Sequence, residues 1–531
     1  RRKFDATGRL LSEISPDGRR AYYQYTDAGL LLKKTHYDGV VTLYYWNDDG
    51  DLLAKKTGDK LSRYSYDNRG HMNAYFDAHN LLTQWSRNDA GQVIEKISFA
   101  ENKHAECHQQ LFSYDLAGRL LSFNTSSGVK FQYAYDGLAQ IKKKILPDGS
   151  WLAYQYDQER NLIAVKRSDG EKYQFEYSPT EKIVKSIGFD GREQQYGYDV
   201  NDRLISIIDS AERCIRFKRD NMGRISEQIS LAFADNVAMA KQDGIMTAGQ
   251  SKIESRNFYL YDKIGRLIRA HNCERTVTCH YHANGKVQQV NQGHWLLTYG
   301  YNYRGQREQL KLPDGSIIGY QYDQQGQMIQ LDYCFPESKQ VHCLFKRNYT
   351  KSGYVQRQVQ GNGIVLEQSF DAFSRLSSQK WQKKNTKNSK IMTFCESRFY
   401  QYNKTHQLIN HQQQFIQDKK TIKHEQVFSY NCLSQLINVD MTCFEQASEQ
   451  CSEQSFDNSE PQYKIAYHWD SFGNPLTKSS IESISETDAV KQDRLVSLLH
   501  TDYQYDDSGN QISSLAQGAK QRRNFDGLNQ L

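Results

Sequence analysis

Proline is scarce in this chain, with 7 in 531 residues, and the 10 cysteines fall far below the density of a disulfide-stapled scaffold. The fold therefore does not rest on staples, and the cysteines do not decide a redox compartment. No apolar run approaches the roughly 18 residues that a membrane-spanning helix needs. Charge of one sign is also missing: Lys plus Arg number 68 against 62 Asp plus Glu, a formal net charge of +6 spread along the sequence. So even a balance gives no footprint for nucleic acid, and the short basic runs Lys142 to Lys144 and Arg522-Arg523 read as solvated strand faces. No Gly-rich phosphate loop, nucleophile elbow or metal-protease helix motif occurs, which removes the common signatures of phosphoryl transfer and hydrolysis.

What is abundant is tyrosine: 36 Tyr stand against 23 Phe and 6 Trp, a β composition in which one end of the side chain can reach water or a hydrogen-bond partner. The tyrosines are periodic. An aromatic followed four places later by Gly and six places later by an aliphatic recurs at Phe4 (Gly8, Leu10), Tyr66 (Gly70, Met72), Tyr114 (Gly118, Leu120), Tyr261 (Gly265, Leu267) and Tyr322 (Gly326, Met328). Anchors, some degenerate, fall at 4, 25, 46, 66, 87, 114, 135, 156, 177, 198, 219, 261, 281, 301, 322, 349 and 370, mostly about 21 residues apart. Beyond residue 376 the anchors Tyr402, Tyr430, Trp469, Tyr505 and Phe525 stand further apart, with polar, Gln- and Ser-rich insertions between them.

A second mark follows each anchor by 13 and 14 places: Asp17-Gly18, Asp38-Gly39, Ser127-Gly128, Asp148-Gly149, Asp169-Gly170, Asp190-Gly191, Asp314-Gly315 and Asn362-Gly363. Such pairs favour a two-residue type I′ turn, so each unit reads as a β-hairpin, with a slightly longer Asp-x-x-Gly turn at its other end. A two-residue turn places Leu10, Ser12, Ile14, Ala21, Tyr23 and Tyr25 on one face and Leu11, Glu13, Arg20, Tyr22 and Gln24 on the other. It likewise joins Ile145, Leu152, Tyr154 and Tyr156 opposite Lys142, Lys144, Trp151 and Gln155. The Tyr-x-Tyr pairs Tyr23/Tyr25, Tyr64/Tyr66, Tyr133/Tyr135 and Tyr320/Tyr322 are then expected to ladder along the apolar face. The 22 anchors imply about 44 strands. That is too many for an open sheet of about 10 strands or a propeller of four to eight blades, so the reading is all-β: spiralling antiparallel hairpins that wrap one face around an interior.

The motif Tyr-x-Tyr-Asp-x-x-Gly-Arg-Leu, with the Pro-Asp-Gly turns of Leu146 to Gly149 and Leu312 to Gly315, resembles the YD repeat of the RHS (rearrangement hot spot) family. That family includes bacterial polymorphic toxins, to which the chain is most similar, the B and C components of insecticidal toxin complexes, wall-associated proteins and the teneurins. The resemblance implies a hollow, non-catalytic YD shell that in bacterial members encloses a C-terminal toxin or effector domain in cis, with secretion or cell-surface display in a bacterium. The toxin tip and the Asp-Pro-x-Gly-Leu core motif are not in this sequence, and Asp526-Gly527-Leu528 is only superficially similar, so no self-cleavage residue is carried over. The chain opens on Arg1 to Asp5 and closes on Phe525 to Leu531, each inside a repeat, and reads as a segment of a longer protein in which a missing signal peptide says nothing of location. Its expected organisation is regular repeats over 1–230, a decayed repeat or insertion over 231–257, repeats over 258–376, and degenerate repeats with long loops over 377–531, ending before the core and the C-terminal domain.

Chemistry-bearing alternatives are few. His271, Cys273, Cys279, His280 and His282 form the densest soft-ligand cluster, but the hairpin pairing sends Cys273 and Cys279 to opposite faces, so no metal site is expected. Cys334/Cys343 and Cys443/Cys451 have loop-spanning offsets that prove no pairing. Carboxylates recur with the repeat, which favours turn capping over an acid/base pair. The expectation is no catalytic, cofactor or metal residue; no nucleic-acid partner; no membrane span. The competing function is an adhesion or carbohydrate-binding module that meets cell-surface glycans or proteins through exposed aromatics such as Tyr22 and Trp151.

Overall fold

The computed structural model describes residues 1–15, 18–58, 60–77, 81–99, 107–233, 251–323, 325–337, 340–350, 353–384, 392–417, 420–447, 463–470, 472–476, 490–491, 494–498, 501–516 and 519–525. Pro16, Asp17, most of the expected insertion over 231–257, Cys451 and Asp526 to Leu528 lie outside them. Every regular element among the described residues is a β-strand, and 39 strands share one antiparallel sheet. Strands consecutive in sequence pair with each other, as in Arg20–Tyr25 with Leu31–Thr35 and Trp151–Tyr156 with Leu162–Arg167. The all-β hairpin reading holds.

The Tyr-x-Tyr alternation holds as well. In Arg20–Tyr25 the residues Arg20, Tyr22 and Gln24 are exposed while Ala21, Tyr23 and Tyr25 turn away from solvent, and Lys130–Tyr135 alternates in the same way. Aromatic rings meet along the sheet, Tyr64 with Tyr75 at 5.2 Å and Phe112 with Phe123 at 5.3 Å between centroids.

The register across the Asp-Gly turns differs from expectation. The Leu146 N–H donates to Ser150 O at 2.8 Å and the Gly149 N–H to Leu146 O at 3.0 Å, so the loop is the three residues Pro147-Asp148-Gly149. Pro fits the first corner of a type I turn, and the left-handed Gly149 (φ 88°) closes it as a bulge. Ile145 therefore faces Trp151 and Lys144 faces Leu152. In the first hairpin Glu13, not Ile14, shares the face of Ala21 and Tyr23. A slip of one residue exchanges the faces of the whole ascending strand. The clean apolar and polar division is replaced by a mixed composition on the less exposed face: the Tyr23 hydroxyl donates to Glu13 at 2.8 Å, and Lys34 lies 5.3 Å from the Tyr23 ring centroid. Burial and then Glu13 push the Tyr23 phenol up to about 12.

A second irregularity recurs at the anchor. Between Gln24 and Tyr25, between Ser113 and Tyr114 and between Gln155 and Tyr156 the pairing skips one partner residue, leaving Leu32, Leu121 and Ile163 as bulges. The paired aliphatics of the motif thus divide their work. Leu31 pairs with the anchor, while Leu32 is pushed out to 44% exposure.

Few side chains are deeply buried. The apolar ones among the described residues are Ala21, Ala164, Cys214, Leu231 and Val439. By contacts the chain divides into two units, Arg1–Val129 with Cys279–Ser429 and Asn438–Ile465, and Lys130–Thr278 with Tyr430–Ile437 and Ala466–Leu531. Inside the first, Arg19 reaches Arg304 O at 3.0 Å. Inside the second, Arg192 reaches Ser508 O at 2.7 Å, and the buried Arg167 is sandwiched between Phe189 and Phe472.

Because Gly149 sits at a left-handed φ with open space around its missing side chain, Gly149→Val should lower stability by about 1–3 kcal/mol through backbone strain alone. Gln155→Val, at an exposed strand position, should stay within about 0.5 kcal/mol. Equal shifts of the thermal midpoint would show the register to be wrong.

Candidate functional site: a repeated anchor and its turn

The feature that recurs in the structure is a hydrogen bond. The anchor tyrosine sits at the end of its strand with the hydroxyl aimed back at the preceding hairpin, where it donates to the main-chain carbonyl of the first strand residue after the previous turn. Tyr25 donates to Leu10 O at 3.0 Å, Tyr156 to Ile141 O at 3.0 Å, Tyr177 to Leu162 O at 2.9 Å, Tyr198 to Ile183 O at 2.9 Å and Tyr322 to Arg307 O at 2.7 Å, each 15 residues back. Where a longer loop intervenes, the same carbonyl is found further away, as in Tyr261 to Ile225 O and Tyr402 to Leu376 O. Burial raises the phenol pKa at Tyr156, Tyr177, Tyr198 and Tyr402, which keeps the proton on the donor.

Degenerate anchors keep the donor and change the residue. Trp46 and Trp469 use the indole N–H, to Leu31 O at 2.8 Å and Leu436 O at 2.6 Å. Arg87 and Arg219 reach Met72 O and Leu204 O through a guanidinium nitrogen, at 3.4 and 2.9 Å. A sequence pattern written for aromatics scores the two arginines as decay; hydrogen-bonding capacity is the signal that identifies them.

The Asp that follows the anchor caps its own turn. One carboxylate oxygen of Asp115 accepts from the Ala117 and Arg119 N–H groups at 2.9 Å each, and the other from Arg119 Nε at 2.6 Å. The Arg119 main-chain bond is the leading cause that holds this carboxyl below its usual range; at Asp220 it is the Arg224 side chain. Asn88 with Gln92 and Asn302 with Gln306 build a neutral version. The residue after the glycine then reaches the next turn along the rim: Arg224 to Asp262 O, Gln92 to Gly118 O and Gln306 to Gly326 O, at 3.2, 3.0 and 3.0 Å. These carboxylates are occupied as caps and clamps, as their periodicity suggested.

The soft-ligand cluster splits into structural contacts. Cys273 is exposed in the two-residue turn between Asn272 and Arg275. His271 stacks on Phe258 at 4.8 Å, and His282 packs edge-on against Tyr301 at 5.6 Å. Among the described residues no three His, Cys, Asp or Glu side chains are grouped to hold a metal. Cys343 stands opposite Asp332, and Cys334 opposite Val341. A pocket of about 170 Å³ is lined by Arg192, Asp209, Arg213 and Ser508. Its polar atoms serve one another, with Ser508 Oγ donating to Asp209 at 2.8 Å and Arg213 Nη1 to Ser508 Oγ at 3.2 Å, so it is a joint between loops.

These features define a scaffold of tandem antiparallel β-hairpins whose recurrent polar groups are engaged in turns and strand ends. Residues 53–231 match the teneurin YD-shell family. The fold is shared, at 12% identity and a TM-score of 0.60, with the crystal structure of TcdB2-TccC3-Cdc42, over 98% of this chain and 29% of that one. Similar too are TcdB2-TccC3 without its hypervariable C-terminal region (11% identity, TM-score 0.56, 99% and 29% covered) and the Photorhabdus luminescens Tc holotoxin pore with a TccC3 mutation (11% identity, TM-score 0.53, 97% and 26% covered). The chain thus spans less than a third of the length of each. A search of curated proteins finds no match.

Tyr156→Phe, which deletes only the hydroxyl that meets Ile141 O, should cost about 0.5–1.5 kcal/mol in denaturant unfolding. Tyr22→Phe, at a position 46% exposed, should cost close to nothing. Comparable costs at both positions would remove the anchor bond as the organising contact. Elemental analysis of purified protein should show no stoichiometric zinc; one tightly held zinc per chain, lost on changing Cys273 and His280 together, would overturn that expectation.

Proposed function

We propose that this chain is a non-catalytic wall segment of an RHS-type protein that encloses a C-terminal toxin or effector domain of the same polypeptide and delivers it, in a secreted or surface-displayed bacterial setting. The observation that carries this reading is the strand alternation: the Tyr-x-Tyr face is consistently the less exposed one, in a chain with few deeply buried apolar side chains of its own. An aromatic ladder turned outward would be a contiguous apolar surface well beyond what soluble monomers carry; turned inward it can shelter a cargo. Likeness to toxin-complex structures supports the same reading. Anchors, caps and clamps use the polar groups of the repeat for architecture, and containment requires none of them to react. The residue organisation stays as proposed from the sequence, regular repeats over 1–230 and 258–376 and looser ones over 377–531.

The competing adhesion reading draws on exposed Tyr22 and Tyr45, each at 46%, and loses some weight at Trp151, which is half-buried under the Lys143 ammonium 4.7 Å from its ring centroid. Single cysteines at position 154 or 155, in a background that retains only the buried Cys214, separate the two readings when labelled with a bulky maleimide. Containment expects fast labelling of Gln155→Cys and protection of Tyr154→Cys. The reverse pattern would put glycan or protein adhesion first.

A further inference from the structure

Where a hairpin loop meets a turn 285 or 316 residues later, the donor in two joints is an arginine: Arg19 to Arg304 O, and Arg192 to Ser508 O. A third joint, inside the first unit, uses histidine. His108 Nδ1 lies 3.2 Å from Lys404 O. A carbonyl only accepts, so Nδ1 carries the proton, and His108 Nε2, 3.3 Å from Gln110 Nε2, is left to accept from the amide. Across the joint is His406, its ring centroid 5.3 Å from that of His108. His406 Nδ1 is 3.1 Å from Arg375 Nη1, and a guanidinium has no lone pair to offer, so this nitrogen must accept and stay unprotonated. The Arg375 guanidinium thus favours the neutral form of the His406 ring.

The surroundings oppose a positive charge. Facing His406 are Arg375, Asp371 and Phe373 of the neighbouring turn, with Lys404 in its own turn; facing His108 are Ser98 across the strand pair and Gln110 beside it. Asp371 is the single carboxylate in this set, and Arg375 Nε engages it at 2.6 Å. His406 also occupies, at a left-handed φ of 63°, the position that Gly305 and Gly509 hold in the turns of the arginine joints.

We propose that the His108–His406 pair is a proton-operated joint in the wall, closed at neutral pH and released when the His406 ring takes up a proton in mild acid. A proton on His406 Nδ1 turns the Arg375 hydrogen bond into a contact between two donors. The resulting imidazolium is also a cation beside Arg375 and 5.3 Å from the His108 ring centroid. Burial, then Arg375, then His108 hold the His406 pKa below its usual value. The folded joint therefore takes up its proton later than the unfolded chain, and its stability is full above about 6.5 and falls as pH drops below that. The inference goes beyond containment and stands whether or not a cargo is enclosed.

Hydrogen exchange read by mass spectrometry on the whole chain at pH 7.5 and 5.5, corrected for intrinsic exchange rates, compares the turn 403–407 with the turns 302–306 and 506–510. Protection at 403–407 should fall at least tenfold in acid and less than twofold at the two arginine joints. In His406→Asn, whose asparagine tolerates the left-handed backbone, and in that variant combined with His108→Gln, the acid response should vanish. An equal response at all three turns, no response at 403–407, or an acid response that survives in both variants would overturn the proposal.

Discussion

A side-chain donor at the end of one strand must reach a main-chain carbonyl of the hairpin before it. Tyr156 to Ile141 O is the regular form, and the rest of the repeat can be understood as what that bond needs. The bulge beside the anchor re-aims the aromatic toward the carbonyl. The Asp cap rigidifies the turn that starts immediately after it, and the Arg or Gln beyond the glycine ties that turn to its neighbour. Trp46, Trp469, Arg87 and Arg219 show that the constraint concerns donor and reach, not residue identity. This explains how a chain can share its fold over 98% of its length with a protein only 12% identical to it, while the family signature is recognised over residues 53–231.

The same economy bears on catalysis. Depressed carboxyl pKa values are ordinarily a hint of a working site. Here they recur at Asp67, Asp115, Asp199, Asp220 and Asp262, in step with the repeat, and at each of them the Arg or His four residues on supplies main-chain and side-chain hydrogen bonds. A perturbation that repeats with the architecture is a property of the architecture. At these five aspartates turn capping accounts for the depressed pKa values.

Much of this was legible in the sequence. The period, the hairpins, the left-handed glycines and the Tyr-x-Tyr alternation are local consequences of residue chemistry, and the structure keeps them. Register across the Asp-Gly turns was not legible from the pair alone. Asp148-Gly149 suits a two-residue turn as well as the three-residue one; the Pro147 that precedes it was the discriminating residue, because it fits the first corner of a type I turn. The bulges at Leu32 and Ile163 leave no mark beyond a doubled aliphatic, whose second member looks like core and is pushed into solvent. The joint of His108 with His406 was beyond sequence reading, since 296 residues separate His108 from Lys404.

Those distant joints have a different energetic character from the anchors. An anchor bond links neighbours, so its loop-closure cost is shared with the hairpin that already exists. Closing a flexible loop of nearly 300 residues would cost about 5 kcal/mol of chain entropy, more than one or two hydrogen bonds return. Arg19 meets Arg304 and His108 meets Lys404 because the intervening chain is a stiff array of hairpins whose twist and bulges have already set where the later turn arrives. The joint then costs little to form and little to break. Control placed there acts on the association of distant repeats while leaving each hairpin intact, and control placed on an anchor would unravel the repeat itself.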